Sequence, residues 1–175
     1  MKIIIAGDIH GSAYWCKRLT DYFKKSGASL LLLTGDILYH GPRNDLPRDY
    51  APKTVANLLN EVSDKIMCVR GNCEAEVDSL LLDFAIAENA YLLYGDKKLF
   101  VCHGHKNPDK LSGCDTLING HTHVPAFKGN SCTTINPGSV SIPKEDSPHS
   151  LILLDGDSVN YIDLETESIY KSEKM

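Results

Sequence analysis

The feature that most constrains this chain is a repeated ending. Ile3, Ile4 and Ile5 run into Gly7-Asp8-Ile9-His10-Gly11, and Leu30–Leu33 run into Thr34-Gly35-Asp36. A short apolar run closing on glycine reads as a buried strand that stops abruptly. Between the two runs, Ser12 stands as an N-cap, and Trp15, Leu19, Tyr22 and Phe23 recur at helical spacing. Gly27 ends that helix, with Lys24 and Lys25 in the last turn where cations suit the helix dipole. Strand, helix and strand in this order predict a parallel, right-handed crossover. Asp8 and Asp36 then fall on neighbouring strand ends, the edge at which open α/β sheets bind ligands.

The ending recurs downstream. Val55, Leu58, Leu59 and Val62 mark a second helix, and residues 65–69 form a strand closed by Arg70-Gly71-Asn72-Cys73. Residues 99–102 lead into His103-Gly104-His105, 116–119 into Gly120-His121-Thr122-His123, and 133–135 into Asn136-Pro137-Gly138-Ser139. Hairpins are expected around Gly95-Asp96-Lys97-Lys98 and Asp155-Gly156-Asp157-Ser158. Helical spacing in the second half is confined to 76–82, and the charged tail from Glu165 is expected to be frayed or superficial. Segment 39–52, rich in Gly and Pro, reads as a long loop carrying His40, Arg43 and Asn44. Loops beside strand ends line sites, so 39–52 and 106–113 are expected to shape any pocket. Arg43, with its planar fork, is the phosphate-binding candidate there.

A chain of 175 residues without an internal linker is expected to be one domain, 1–175. Its net charge of −5 and the lack of a basic stripe argue against a standing nucleic-acid partner. No signal-peptide pattern precedes the first strand and no apolar run reaches membrane-spanning length, so a cytoplasmic protein with no membrane partner is expected. The six cysteines have neither CxxC nor zinc-ribbon spacing and suit reduced thiols, several of them in apolar runs.

The polar residues that close the strands are Asp8, His10, Asp36, Asn72, His103, His121 and His123. Each alone reads as a cap or a surface residue. Together they bring imidazoles and carboxylates to one edge, where burial demands a compensating ion. Hard oxygens mixed with borderline nitrogens suit Mn²⁺, Fe²⁺ or Zn²⁺ better than Ca²⁺. Seven donors exceed one tetrahedral ion but fit two ions sharing a carboxylate, for which Asp36 is the natural bridge.

Asp8-x-His10-Gly11, Gly35-Asp36, Gly71-Asn72-Cys73-Glu74, His103-Gly104-His105 and Gly120-His121-Thr122-His123 resemble, in order, the motifs of the calcineurin-like metallophosphoesterases. The runs His40-Gly41-Pro42-Arg43-Asn44 and Asn136-Pro137-Gly138-Ser139-Val140-Ser141-Ile142-Pro143 narrow the resemblance to small phosphodiesterases of the YfcE type. The resemblance implies a four-layer α/β/β/α sandwich of two mixed sheets flanked by helices. It further implies two divalent ions, one on Asp8, His10, Asp36 and His123, the other on Asp36, Asn72, His103 and His121. Mn²⁺ is the first choice, with Ni²⁺, Co²⁺, Fe²⁺ and Zn²⁺ compatible. The implied reaction is hydrolysis of a small phosphodiester by a water bridging the ions. His105 and Arg43 are candidates for contacting phosphate oxygens or the leaving group.

One position departs from the pattern, because Cys73 stands where many members have histidine. A thiol beside two dications is expected to lose its proton below its usual value of about 8.5 and then has none to donate. General acid catalysis contributes about 10²–10⁴-fold, so diesters with readily departing groups are expected to be favoured over alkyl monoesters. A space-filling Cys73 is the plainer alternative. Readings from other classes are a non-catalytic interaction scaffold on the same fold, as in the retromer subunit Vps29, and a nuclease, for which no basic track is present. A homo-oligomer is compatible with a chain of this size.

Overall fold

Leu, Ile and Val in unbroken runs are expected of strands buried on both faces, and the computed structural model, which describes residues 1–106, 113–129 and 131–175, shows why. The first half of the chain alternates β1 (Lys2–Ala6), α1 (Ala13–Ser26), β2 (Leu30–Leu33), α2 (Pro52–Asn60), β3 (Ile66–Val69) and the two-residue β4 (Ile86–Ala87). These four strands lie parallel in the order β1-β2-β3-β4. The chain then builds a second sheet from β5 (Ala90–Tyr94), β6 (Lys97–Val101), β7 (Thr116–Ile118), β8 (Pro125–Lys128) and β9 (Thr133–Pro137), in the order β5-β6-β7-β9-β8. Finally β10 (Ser150–Asp155), β11 (Ser158–Asp163) and β12 (Ser168–Lys174) return to the first sheet, where β10 pairs antiparallel with β1. Both sheets are therefore mixed, and the α/β class is as expected.

Alternation along β1 divides the core. Ile4 and Ala6 pack with Leu31, Leu33 and the apolar faces of α1 and α2. Ile3 and Ile5 face the other way, onto Leu99, Val101, Ile118 and Ile135 of the second sheet. Ser12 caps α1 by accepting the amide of Trp15, and Gly27 closes it in the left-handed conformation at φ 70°. Phe100, Cys102 and Leu117 make a small cluster on the far face of the second sheet. The two mixed sheets pack on each other with α1 and α2 against the first, as expected of the sandwich. The helix expected over 76–82 is a short 3₁₀ segment, Glu76–Leu80.

Several boundaries move. The tail is not frayed: β12 pairs with β11, with a register shift at Tyr161 and Ile162. Its mixture of charged and polar residues belongs to an exposed edge strand, where lysine and glutamate discourage further pairing. β8 escaped notice because it opens on Pro125, which an edge strand tolerates. Both hairpins turn through two residues, Gly95-Asp96 and Gly156-Asp157, tighter than the four-residue turns expected. Val62 lies beyond α2, and most of segment 106–113 lies outside the described residues. No described helix is long and apolar enough to cross a membrane.

Candidate metal centre

Parallel strands end at the same edge, and the loops after β1, β2, β3, β6 and β7 meet there. What aims their side chains is an unusual backbone. Asp8 (φ 53°), His10 (49°), Asp36 (56°), His121 (69°) and His123 (62°) all adopt the left-handed conformation. Asp and His tolerate this region better than most residues, but it persists in series only where neighbours over-determine it. Those neighbours are identifiable. The amide of Asp8 donates to Gly35 O at 3.0 Å, and that of His10 to Asp36 O at 2.9 Å, so the first two loops hold each other. Ser139 and Ser141 both donate their hydroxyls to Asp8 O, at 2.8 and 3.0 Å. The buried carboxylate of Glu74 accepts the amides of Asp36 (3.0 Å), Ile37 (2.6 Å) and Gly71, tying the β2 loop to the β3 loop. Glycine is needed beside the carboxylates: a side chain on Gly71 would strike Asp36 Oδ1, and one on Gly120 would come within 2.9 Å of Asp8 Oδ2.

Three rings are oriented in the same way. His10 Nδ1 donates to Tyr39 O at 2.8 Å, His103 Nδ1 to Thr34 O at 2.7 Å, and His123 Nδ1 to Ile142 O at 2.6 Å. A carbonyl oxygen only accepts, so each Nδ1 carries the hydrogen and each neutral ring turns its Nε2 lone pair into the site. There the acceptors face one another. His10 Nε2 and His123 Nε2 are 3.2 Å apart, and Asp8 Oδ1 lies 3.3 Å from the latter and 3.7 Å from the former. Asp8 Oδ1 is buried with no hydrogen-bond partner among the described residues. His103 Nε2 faces Asn72 Oδ1 at 3.2 Å and Asp36 Oδ2 at 3.4 Å. The other side of the Asn72 amide donates to Cys73 Sγ at 3.2 Å, and Cys73 N donates to Asp36 Oδ1 at 2.8 Å.

Lone pairs crowded together out of water repel unless something positive stands between them. One proton relieves part of the crowding. Burial alone would depress His103, but its hydrogen bond to Asp36 and the charges of Asp8 and Asp36 outweigh burial and raise it to about 9. Burial would likewise raise Asp36, yet His103 and the Cys73 amide hold it down to about 2. His10 goes the other way, lowered by burial against the pull of the Tyr39 carbonyl. A divalent cation relieves every one of these contacts at once, so the donor set fits a metal.

The predicted donors thus converge in three overlapping groups. Asp8, His10 and His123 gather their donor atoms within 4.8 Å, as do Asp8, Asp36 and His103, and His10, Asp36 and Cys73. His121 stands at the side, its ring centroid 5.1 Å from that of His103 and its amide donating to Asp8 Oδ2 at 3.1 Å. A pocket of about 280 Å³ opens above them, lined among others by Arg43, Asn72, Cys73 and Lys144. His105 does not line it: its ring lies beside His103 and His121, lowered chiefly by burial and then by His103. Without a cation, Cys73 also departs from expectation. Burial, followed by the charge of Asp36, pushes its thiol up to about 12. Glu74, Ser139, Ser141 and Lys144 were missed by sequence reasoning, although the first three sit inside the motif runs, because a buried Glu or Ser looks like an exposed one until its partners are known.

Comparison with known proteins agrees with this geometry. Residues 1–158 match the model of the calcineurin-like phosphoesterase superfamily domain. The chain is 46% identical over 175 residues to the phosphodiesterase YfcE of Escherichia coli K12, covering 97% of this chain and 95% of that protein. A solved structure of YfcE, a phosphoesterase from E. coli, superposes with a TM-score of 0.94 at 44% identity, covering 99% of both chains. A zinc complex of Vps29 from Entamoeba histolytica shares the fold alone, at TM-score 0.64 and 20% identity over 100% of this chain and 98% of that one. Strand ends that gather buried carboxylates and imidazoles, and a family match over most of the length, lead to one conclusion: the chain belongs to the calcineurin-like phosphoesterase superfamily.

Proposed function

We propose that this protein is a metal-dependent phosphodiesterase that hydrolyses a small phosphodiester. The observation that carries this reading is the ring of inward-facing acceptors around Asp8 and Asp36, which a proton on His103 relieves only in part and a divalent cation relieves throughout. Asp8, His10, Asp36 and His123 would hold one divalent ion, and Asp36, Asn72, His103 and His121 a second, with Mn²⁺ the first choice. Two such ions supply an activated water and neutralise the phosphoryl oxygens. The chain's own residues then do the rest. The carbonyls of Tyr39, Thr34 and Ile142 keep the three Nε2 atoms aimed inward. Arg43, on the pocket wall, faces the phosphate with its planar fork. Cys73, on the same wall, is a poor proton donor whether its thiol is held high by burial and the nearby carboxylates or is ionised, and this favours diesters whose leaving group departs unaided.

The likeness to the YfcE phosphodiesterase supports this reading, and the likeness to Vps29 supplies the alternative of a scaffold without turnover. Hydrolysis of bis-p-nitrophenyl phosphate by purified protein separates them. Activity with Mn²⁺ that falls at least about 10²-fold in Asp36→Ala is expected, because several kcal/mol of charge stabilisation leave with the shared carboxylate. No turnover with Mn²⁺, Ni²⁺ or Co²⁺ favours the scaffold.

A further inference from the structure

The floor of the pocket is a set of acceptors, but its rim is cationic. Arg43 comes from the loop between β2 and α2, and Lys144 from the segment between β9 and β10. Among the described residues Asp36 is the only carboxylate lining the pocket, and it lies on the floor against Cys73 N and His103. Neither rim cation forms an ion pair among the described residues. Lys2, Lys17, Lys24, Lys25, Lys106 and Lys171 each have a carboxylate oxygen within 3.4 Å, whereas Lys53, Lys65, Lys97, Lys98, Lys128 and Lys174, like the rim pair, form no ion pair among the described residues. Lys144 is exposed, but its backbone is fixed in place. Its amide donates to the carbonyl of His123 at 3.3 Å, and its own carbonyl accepts the amide and hydroxyl of Ser147 at 3.1 and 2.6 Å. Glu145 and Asp146, both left-handed at φ 54°, follow it in a tight turn and do not line the pocket.

Two unpaired cations at the mouth of a pocket, in a chain of net charge −5, make a local field opposite to that of the whole protein. Resting on the phosphodiesterase reading above, which gives Arg43 to the phosphate, we propose that Lys144, on the same rim, forms a subsite for a second anionic group. The favoured substrates are then phosphodiesters whose organic arm carries a carboxylate or a further phosphate, and an arm ending in a quaternary ammonium is disfavoured. Lys144 is the specificity-determining residue of that subsite. It acts by attraction toward an anionic arm and by repulsion of a cationic one, the two routes by which a site discriminates.

Two p-nitrophenyl diesters of equal arm length, butyl and 3-carboxypropyl, test the idea with the Mn²⁺-loaded enzyme. The carboxylate arm is expected to give the higher kcat/KM. Lys144→Ala should shrink that preference by about 2- to 5-fold through KM, the size expected of one solvent-exposed charge interaction. Lys144→Glu should reverse the preference, and raised salt should weaken it in the wild type. Lys97→Ala, on the remote β5–β6 hairpin, is the charge-matched control and should keep it. Calorimetric binding of the corresponding non-hydrolysable methylphosphonates should show the same order, independently of turnover. Equal preferences in wild type, Lys144→Ala and Lys144→Glu overturn the rim subsite. Failure of the wild type to hydrolyse either diester overturns the phosphodiesterase reading instead, and the calorimetry then decides the rim alone.

Discussion

Asp8, His10 and His123 are at most 3% exposed, whereas Asn72, across the same pocket floor, is exposed and His121 is half-buried. The rings of His10 and His123 are each locked by a carbonyl at 2.8 Å or less. Among the described residues the His121 ring has the rings of His103 and His105 beside it and no hydrogen bond, and the Asn72 amide rests on a thiol. Donors fixed before a ligand arrives lose little freedom on binding, and those that must be ordered bind more weakly. The two halves share Asp36 but differ in the exposure of their other donors, so they should differ in affinity.

The strongest way to break this comparison is a metal titration of stripped protein against a chelator. Two affinities are expected, with His123→Ala weakening the tighter one by about 10–100-fold or more and His121→Ala touching only the weaker. A single affinity would erase the distinction. Next in size is Cys73→His, which adds a proton donor to the open half. Turnover of alkyl esters relative to aryl diesters should rise by about tenfold, a modest share of what a general acid supplies. An unchanged ratio would leave Cys73 as a space-filler.

Smaller effects probe the supports of the buried half. Ser139→Ala or Ser141→Ala should each cost about 0.5–1.5 kcal/mol in urea unfolding. The double variant should exceed the sum if either hydroxyl alone satisfies the Asp8 carbonyl they share. The tighter metal affinity should drop and the weaker one hold. The least effect is expected from His149, which donates to Val140 O at 2.9 Å and stacks at 3.6 Å on Trp15, the only tryptophan. Burial holds its pKa below 6.5, against the Val140 hydrogen bond. The unfolded chain therefore takes up this proton more readily than the folded one. Its contribution to stability is full above about pH 6.5 and lost as pH falls through the lower folded value. Trp15 emission should titrate with a midpoint below 6.5, together with a fall in Tm that His149→Gln flattens.

The donors themselves were legible because their signal is local: an apolar run, a glycine, then Asp, Asn or His. The positions of Asp8, Asp36, Asn72 and His103 follow from that alone. What could not be read were groups whose meaning depends on a distant partner. Glu74 reaches amides of the β2 loop, Ser139 and Ser141 cross more than a hundred residues of sequence to Asp8, and Lys144 joins Arg43 only through the fold. Nor could the different exposure of His121 and His123, two residues apart, be read from their shared motif. β12 was misread for a similar reason, since an edge strand rich in Lys, Glu and Ser has the composition of a coil until its partner is seen.

The left-handed turns beneath five of the donors have one more consequence. Each would be relaxed by glycine, which visits that conformation freely. Glycine at positions 8, 10, 36, 121 and 123 would release that backbone strain, at the cost of the side-chain hydrogen bonds made there and of every donor atom. Aspartate and histidine there mark the places where this molecule gives up robustness in return for chemistry.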